Sequence, residues 1–293
     1  MPDRKKSIYL IGYASGVAGA HAGSSEGPLL LQQSPYLLAC QKKGLDLHWY
    51  AIIKPSLQAA KVQSVAEATE LLAQSVAEQV EARQFFTVLG GDHSSAIGTW
   101  SGAHSIQSPL GLIWIDAHMD SHTPKTSLSG NIHGMPLACL LGFGDPALIN
   151  IMSSGPQFKP ENICLIGVRS YEEGEAALLK KLKVRIFLME EIRERGIKTV
   201  MQEAIEIVTK NTKGFGVSLD IDSIDPLDAP ATGVPEPDGI PAKELLSALK
   251  LLSKEKHFIG AEIVEFDPSR DKNQMTEKLI PQLLTAMILG KTV

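Results

Sequence analysis

The sequence predicts an α/β fold with a mainly parallel sheet, and three observations lead to this prediction. About eight short runs rich in Val, Ile, Leu and Phe recur along the chain. Stretches with helical periodicity lie between them, and this alternation favours parallel strands joined by right-handed crossovers, with helices on both faces. The strand runs are apolar at nearly every position, which is typical of a sheet buried on both sides.

Each predicted strand is a short apolar run that ends at Gly or polar residues. In chain order these runs are Ser7–Ile11, Leu45–Tyr50, Phe85–Leu89, Gly111–Ile115, Asn162–Val168, Val184–Leu188, Phe215–Leu219 and Phe258–Phe266. Helices are predicted where apolar residues recur on one face, as Val65, Leu72 and Val76 do in the first of them. The predicted helices are Val62–Arg83, Glu173–Leu182, Ile197–Asn211, Pro241–Lys254 and Gln274–Leu289.

Length and charge restrict the classes of protein. With 293 residues and 44% hydrophobic content the chain can bury one large core, and nothing in it resembles a linker, so we expect a single domain over residues 1–293. The net charge of −5 and a pI near 5.9 argue against a nucleic-acid surface. The basic runs Arg4-Lys5-Lys6 and Lys180-Lys181 are too short to indicate one.

Cysteine usage and hydropathy predict a cytoplasmic protein. Cys40, Cys139 and Cys164 are an odd number, and the last two lie in apolar surroundings where buried free thiols are common. The apolar stretch after the basic start breaks into Gly and Ala too early for a signal peptide. No run is long enough to span a membrane.

Side chains that bind metals follow three of the predicted strands. The three stretches are Gly90-Gly-Asp-His93, Asp116-Ala-His-Met-Asp120 and Ser218-Leu-Asp-Ile-Asp222. Ligand sites of open α/β sheets lie at these strand ends, and alternate residues of an extended segment share one side. The candidate ligands are His93, Asp116, His118, Asp120, Asp220 and Asp222.

The charge of this set favours two metal ions. Four carboxylates in a partly dry pocket are balanced by two dications, whereas one would leave about half the charge uncompensated. Oxygen-rich ligation with imidazole and without thiolate favours Mn²⁺ or a similar metal over structural Zn²⁺. A single Asp or His at such a place is more often a turn or cap residue. For Asp92, capping or orientation is the favoured interpretation.

The three stretches together resemble the three signatures of the arginase (ureohydrolase) family, in the same order. The resemblance extends from Gly23-Ser-Ser-Glu-Gly-Pro28 to Ile263-Val-Glu-Phe-Asp-Pro268, and Ser129-Gly-Asn131-Ile-His133-Gly is similar to bacterial arginases. It implies a three-layer α/β/α sandwich with an eight-stranded mainly parallel sheet. That fold agrees with the independent strand count.

The resemblance also implies a binuclear manganese site. One Mn²⁺ would be bound by His93, Asp116, Asp120 and Asp220, and the other by Asp116, His118, Asp220 and Asp222, so that Asp116 and Asp220 bridge. A hydroxide held between the metals would attack the guanidinium carbon. Asp120 would carry the proton to the leaving amine, and His133 would be the proton shuttle. Glu265 would hold the guanidinium, with a structural ion pair to Arg169 or Arg270 as its rival interpretation.

For the amino-acid end of the substrate the resemblance implies a second set of residues. His122, Ser129 and Asn131 match the loop that binds the carboxylate, and Glu172 and Glu175 match the acidic positions near the amino group. Arginases usually have Asn where His122 stands, and Asp is common where Glu172 stands. The alternative for His122 is a solvent-exposed loop residue, and the alternative for His133 is a helix N-terminal residue.

The leading hypothesis is hydrolysis of L-arginine to L-ornithine and urea. The alternatives are another ureohydrolase acting on agmatine, guanidinobutyrate, guanidinopropionate or formiminoglutamate, and a silent family member that acts as a binding protein. The expected partner is a small guanidino substrate, with no nucleic acid and no membrane. A homo-oligomer, trimer or hexamer, is implied by the resemblance. It would be built from globular surfaces alone, because the chain ends at Val293, just after its last helical pattern.

Overall fold

An eight-stranded parallel sheet forms the centre of the computed structural model, which describes residues 7–42, 44–56 and 58–291. All eight predicted strands are confirmed, and the run Arg4-Lys5-Lys6 lies outside the described residues. Neighbouring strands pair in parallel in the order β2-β1-β3-β8-β7-β4-β5-β6. The strands are β1 (Ser7–Tyr13), β2 (Asp46–Ile53), β3 (Phe85–Gly90), β4 (Leu110–Ile115), β5 (Ile163–Val168), β6 (Arg185–Leu188), β7 (Gly214–Asp220) and β8 (Phe258–Val264).

Helices cover both faces of the sheet, as predicted. They are α1 (Gly27–Gln33), α2 (Pro35–Lys42), α3 (Lys61–Glu81), α4 (Ser95–Ile106), α5 (Pro136–Leu140), α6 (Pro146–Ile149), α7 (Glu173–Leu182), α8 (Met189–Arg195), α9 (Ile197–Thr209), α10 (Ala242–Leu249) and α11 (Met275–Leu289). The predicted helix over Pro241–Lys254 is shorter than expected. Its regular part ends at Leu249, and Leu252–Lys254 forms a separate 3₁₀ turn.

Alternate residues of each central strand pack into different layers. On β4, Ile113 and Ile115 belong to a core that includes α8, α9, α10 and α11. Leu112 and Trp114 belong to a second core with α3, α4 and α7 on the opposite face. Because strand side chains alternate between the two faces, this division produces the three-layer α/β/α sandwich.

The twelve-residue helix α4 was not predicted, because it lacks an apolar and a polar face. Nine of its residues, Ser95 to Ala103, are buried in succession. It packs unusually close to α3: a Cβ added at Gly98 would lie 2.4 Å from the Thr69 carbonyl oxygen, and one at Gly102 would lie 2.2 Å from that of Ala73. A helix buried on all sides shows no 3.6-residue polarity pattern, so periodicity does not reveal it.

The sheet order brings the predicted ligand segments together. β3, β8, β7 and β4 are consecutive neighbours at the centre of the sheet, and all run in the same direction. Their carboxyl ends therefore meet at one edge, which is where parallel sheets bind ligands. Within the described part of the chain, no helix is long and apolar enough to cross a membrane.

Candidate metal centre and its cavity

The first group of candidate ligands joins His93, Asp116 and Asp220 at the carboxyl ends of β3, β4 and β7. All three are buried, and their ligand atoms lie within 4.8 Å of one another. His93 Nδ1 lies 3.2 Å from Asp220 Oδ2, 3.3 Å from Asp116 Oδ2 and 2.9 Å from Asp120 Oδ2. Asp120 thus borders the same space. Three carboxylates around one imidazole nitrogen form a ligand set of oxygen and nitrogen, without sulfur.

The orientation of the His93 ring leaves Nδ1 available for a metal. Ser218 Oγ donates to Glu262 Oε1 at 2.7 Å, so it accepts from His93 Nε2 at 2.8 Å, and Nε2 carries the ring proton. Among the described residues, buried His93 Nδ1 has no partner in hydrogen-bond geometry, although three carboxylate oxygens lie within 3.3 Å of it. The ring also stacks on Trp114, with centroids 4.3 Å apart. A buried ring nitrogen that faces three carboxylates fits a divalent cation.

The turn after β3 carries His93 to this position. A Cβ at Gly91 would lie 1.9 Å from the Ser15 carbonyl oxygen, so only glycine allows this close approach. Asp92 accepts hydrogen bonds from Ser15 Oγ, from the backbone of Ala18 and from the backbone and hydroxyl of Ser94. These contacts confirm that Asp92 orients the turn.

The second group joins Asp116, His118 and Asp222, so Asp116 belongs to both groups. His118 Nδ1 lies 3.0 Å from Asp222 Oδ2 and 3.6 Å from Asp116 Oδ1. Asp116 is held by Trp114 Nε1, which donates to Oδ2 at 2.8 Å, and by the His118 backbone N–H, which donates to Oδ1 at 2.7 Å. Two groups with a shared carboxylate fit a pair of metal ions.

Electrostatics indicates that this cluster favours the binding of cations. Burial and then the charge of Asp116 raise the pKa of Asp120 to about 7. Burial and then the charges of Asp222 and Asp116 raise the pKa of Asp220 well above its usual value. Burial alone would lower the pKa of His93, but the carboxylates around it raise it. Without metal the acids must therefore compete for protons, whereas divalent cations would stabilise them as carboxylates.

Two residues of the site adopt left-handed backbone conformations. Asp120 has a φ of 46° and Glu265 a φ of 63°, and neither is glycine. Each is held by a backbone hydrogen bond, from Leu137 N to Asp120 O at 2.9 Å and from Glu265 N to Gly91 O at 2.8 Å. Non-glycine residues in this region cost about 1–3 kcal/mol each, and such residues cluster at functional sites.

Glu265 and His133 form an ion pair beside the metal centre. His133 Nδ1 lies 3.0 Å from Glu265 Oε1, which also accepts from the His93 backbone at 2.8 Å. Burial opposes charge on His133, but Glu265 raises its pKa to about 9. The rival ion pairs of Glu265 are not found: Arg169 donates to backbone carbonyls, and Arg270 pairs with Asp267 at 3.3 Å. His133 also lies in a short 3₁₀ turn before α5.

These residues border a cavity of about 300 Å³. It is lined by His118, Asp120, His122, His133, Gly134, Ser170, Tyr171, Glu172, Glu175, Asp220, Asp222, Thr232, Val234, Glu236 and Glu265. His93 and Asp116 lie buried beneath it. Of the predicted substrate residues, Ser129 and Asn131 are not among the lining residues; Ser129 is exposed, and its Oγ accepts from the Asn131 backbone at 3.2 Å.

The acidic pair lies against His122. His122 Nε2 is 3.4 Å from Glu175 Oε2 and 3.6 Å from Glu172 Oε2, and its Nδ1 is 3.2 Å from Thr126 Oγ1. His122 is buried, so the interpretation as an exposed loop histidine was wrong. Glu175 also accepts from the backbones of Ser121 and Glu172, which ties the start of α7 to the loop after β4.

Several residues of the site were missed by sequence reasoning. Glu262 is buried in the middle of β8, where it accepts from Ser218 Oγ and, at 2.5 Å, from Trp100 Nε1. A carboxylate inside an apolar strand was the available signal. Glu236 and Thr232 line the cavity from the long segment between β7 and α10, whose sequence carries no periodicity. Thr232 Oγ1 is buried without a partner among the described residues.

Comparisons with known proteins extend over the whole described fold. A sequence model of the Arginase family matches residues 6–290. The arginase of Brevibacillus brevis is 37% identical over 98% of this chain and 99% of its own length, and that of Bacillus caldovelox is 43% identical over 77% and 76%. The crystal structure of arginase from Bacillus subtilis superposes with a TM-score of 0.92 at 36% identity, covering 98% of this chain and 100% of that chain. The similarity therefore includes the sheet, both helical layers and the loops that carry the candidate ligands.

Proposed function

The chain belongs to the arginase family of metal-dependent ureohydrolases, and on this basis we propose that it hydrolyses L-arginine to L-ornithine and urea. The observation that carries the proposal is the pair of acid–imidazole groups that share Asp116 beneath an acidic cavity. A cationic guanidino group is attracted by such walls.

Two Mn²⁺ ions are the proposed cofactors. His93, Asp116, Asp120 and Asp220 would hold one ion, and Asp116, His118, Asp220 and Asp222 would hold the other. The buried Nδ1 of His93, which faces three carboxylates, and the oxygen-rich donor set support this assignment. Bound cations lower the pKa of water and thereby supply a nucleophile at neutral pH.

Asp120 is proposed as the proton carrier between nucleophile and leaving group. Attack of the water oxygen on the guanidino carbon gives a tetrahedral intermediate, and its collapse to urea breaks the bond from that carbon to the side-chain nitrogen that becomes the ornithine amine. This nitrogen must gain a proton to leave. Asp120 lines the cavity, and its Oδ2 lies 2.9 Å from His93 Nδ1. One carboxylate therefore borders both the candidate metal site and the space for the substrate. Its Oδ atoms would accept the proton of the attacking water and deliver it to the departing nitrogen.

Glu265 and His133 are proposed to bind the guanidinium and to move protons to solvent. Glu265 is almost fully buried, and its existing cationic partner is His133. A guanidinium that binds Glu265 would place a second positive charge beside His133 and would lower the pKa of that imidazole towards neutrality. His133 would then release its proton, as a shuttle at neutral pH requires.

The amino-acid end of arginine is proposed to bind at the side of the cavity formed by the start of α7. Glu172 and Glu175 would attract the α-amino group, and His122 between them and the loop would donate to the carboxylate, together with Ser129 and Asn131. Thr126 and the α7 N-terminus hold this region, since a Cβ at Gly174 would lie 2.7 Å from Thr126 Cβ.

We further propose a single-domain, cytoplasmic homo-oligomer, trimer or hexamer. Cys139 and Cys164 are buried free thiols, and burial raises the pKa of Cys139 to about 12, which suits a reducing compartment. Light scattering should give a mass well above the 31.6 kDa of one chain. A monomer at micromolar concentration would contradict the oligomer.

The decisive experiment is a substrate panel with the manganese-reconstituted protein. L-Arginine should be hydrolysed with the highest kcat/KM among arginine, agmatine, guanidinobutyrate, guanidinopropionate and formiminoglutamate, and metal analysis should find two Mn per chain. Preference for another compound would identify a different ureohydrolase. If the protein bound no metal and hydrolysed none of these compounds, the result would indicate a silent binding protein.

A further inference from the structure

The side chain of Glu236 reaches the outer nitrogen of a candidate metal ligand. His118 directs Nδ1 towards Asp222 and Asp116, while its Nε2 lies 3.6 Å from Glu236 Oε1. Within the described ranges, Glu236 is the one carboxylate at ion-pair distance from this nitrogen. A metal-binding histidine nearly always directs its second ring nitrogen to a carboxylate, a carbonyl or water, which fixes the ring.

Glu236 is held in place by residues of another strand end. Ser170, just after β5, donates from Oγ to Glu236 Oε1 at 3.1 Å. The neighbouring Arg169 donates from Nη2 to the backbone carbonyls of Glu236 at 2.8 Å and Asp222 at 2.7 Å. One guanidinium therefore ties the segment that carries Glu236 to the turn that carries a candidate ligand. Because the guanidinium is planar and rigid, these two bonds fix the relative position of the two carbonyls.

The two imidazoles among the candidate metal ligands are supported differently. His93 is fully buried and donates to the Ser218 hydroxyl, which is itself bonded to Glu262. The side chain of His118 is 24% exposed, and its support is a carboxylate on the cavity wall, itself 26% exposed. The His118 group therefore depends on a residue that lies outside the core.

We propose that Glu236 is a positioning residue for His118 and that it strengthens binding of the metal held by Asp116, His118 and Asp222. Its carboxylate orients the imidazole and increases its basicity as a ligand. The inference rests on the proposed function only in that this group binds a divalent cation; it does not depend on which guanidino compound is the substrate.

The test is a Mn²⁺ titration of the metal-free enzyme without substrate, with free Mn²⁺ followed by electron paramagnetic resonance. Glu236→Gln should lower the Mn²⁺ affinity of one of the two sites by about tenfold or more, which is the usual effect of removing a carboxylate partner from a metal-binding histidine. The Mn²⁺ affinity of the other site should stay near its wild-type value. Ser170→Ala removes the hydroxyl that holds Glu236, and it should lower the Mn²⁺ affinity of the same site to a smaller extent. Thermal melting of each metal-free variant establishes that it is folded.

Glu172→Gln is the matched control, because it removes the same charge from the same cavity but from a residue that contacts His122. It should leave both Mn²⁺ affinities near the wild-type values. An equal loss of Mn²⁺ affinity in Glu172→Gln would overturn the proposal, because the overall negative charge of the cavity would then explain the effect. Wild-type Mn²⁺ binding in Glu236→Gln, with a raised KM for arginine, would also overturn it and would make Glu236 a substrate contact. Selective weakening of one ion would support it even if arginine proved to be a poor substrate.

Discussion

The ion pair of His133 and Glu265 predicts a pH-dependent contribution to the stability of the metal-free enzyme. The pKa of His133 is raised from 6.5 to about 9, because Glu265 at 3.0 Å outweighs the effect of burial. That shift corresponds to about 3 kcal/mol of differential stability. A folded-state pKa above the unfolded value means that the stabilisation is complete below about pH 6.5 and is lost as the pH rises through about 9.

The perturbation is His133→Gln, which keeps a hydrogen-bond donor for Glu265 but removes the titrating charge. Urea unfolding of the metal-free wild type and variant, at constant ionic strength from about pH 6 to pH 10, measures the difference in unfolding free energy. The wild-type advantage should be largest near pH 6 and should fall by about 3 kcal/mol towards pH 10. A difference that stays constant over this range would refute the ion pair.

A second histidine provides a control of opposite sign. Burial lowers the pKa of His104, so the folded protein prefers the neutral ring. Its contribution is therefore present above about pH 6.5 and is lost as the pH falls below that value. With the measurement extended down to about pH 5, the difference in unfolding free energy between wild type and His104→Gln should vary only below about pH 6.5. This separates the specific effect of Glu265 from a general effect of replacing histidine.

Three further predictions concern the site. Asp220→Asn should reduce turnover by orders of magnitude and weaken at least one Mn²⁺, because it removes a charged ligand; near-normal activity with two bound metals would reject the assignment. His122→Asn should change the KM for arginine but not for agmatine, which has no carboxylate; equal changes for both would remove His122 from the carboxylate site. Thr232→Val should leave the free energy of unfolding unchanged or raise it by about 1 kcal/mol, since it deletes a buried hydroxyl that lacks a partner among the described residues. It should lower kcat/KM if that hydroxyl contacts the substrate. Unchanged kinetics would make Thr232 a packing residue.

The sheet was predictable because its signal is local. A strand buried on both faces must be apolar along its length, as Leu110–Ile115 and Ile163–Val168 are, and the sequence shows this directly. Helix α4 was missed for the corresponding reason. Its burial comes from contact with α3, α5 and β8, and the close approach at Gly98 and Gly102 leaves no polar face to produce a periodic pattern.

The candidate site was predictable where its residues cluster in sequence. Asp116, His118 and Asp120 fall within one short stretch after a strand, and their spacing is visible without a structure. Glu236 gave no such signal, and the only signal of Glu262 was a carboxylate inside an apolar strand. Each acquires its place through contacts across the fold, from Glu236 to His118 and from Glu262 to Ser218, and the segments that carry them are joined only by the tertiary structure.

The composition of the site links metal binding to folding. The buried carboxylates repel one another; they are Asp116, Asp120, Asp220 and Asp222. The left-handed backbone conformations of Asp120 and Glu265 add about 1–3 kcal/mol of conformational strain each to the folded state. The surrounding hydrogen bonds preserve this arrangement without neutralising it. Cations that bind the folded state alone stabilise it by an amount that grows with the logarithm of their concentration over Kd, about 2.7 kcal/mol at a hundredfold excess. The same charge and strain that prepare the site for metal therefore make the folded enzyme depend on metal for part of its stability.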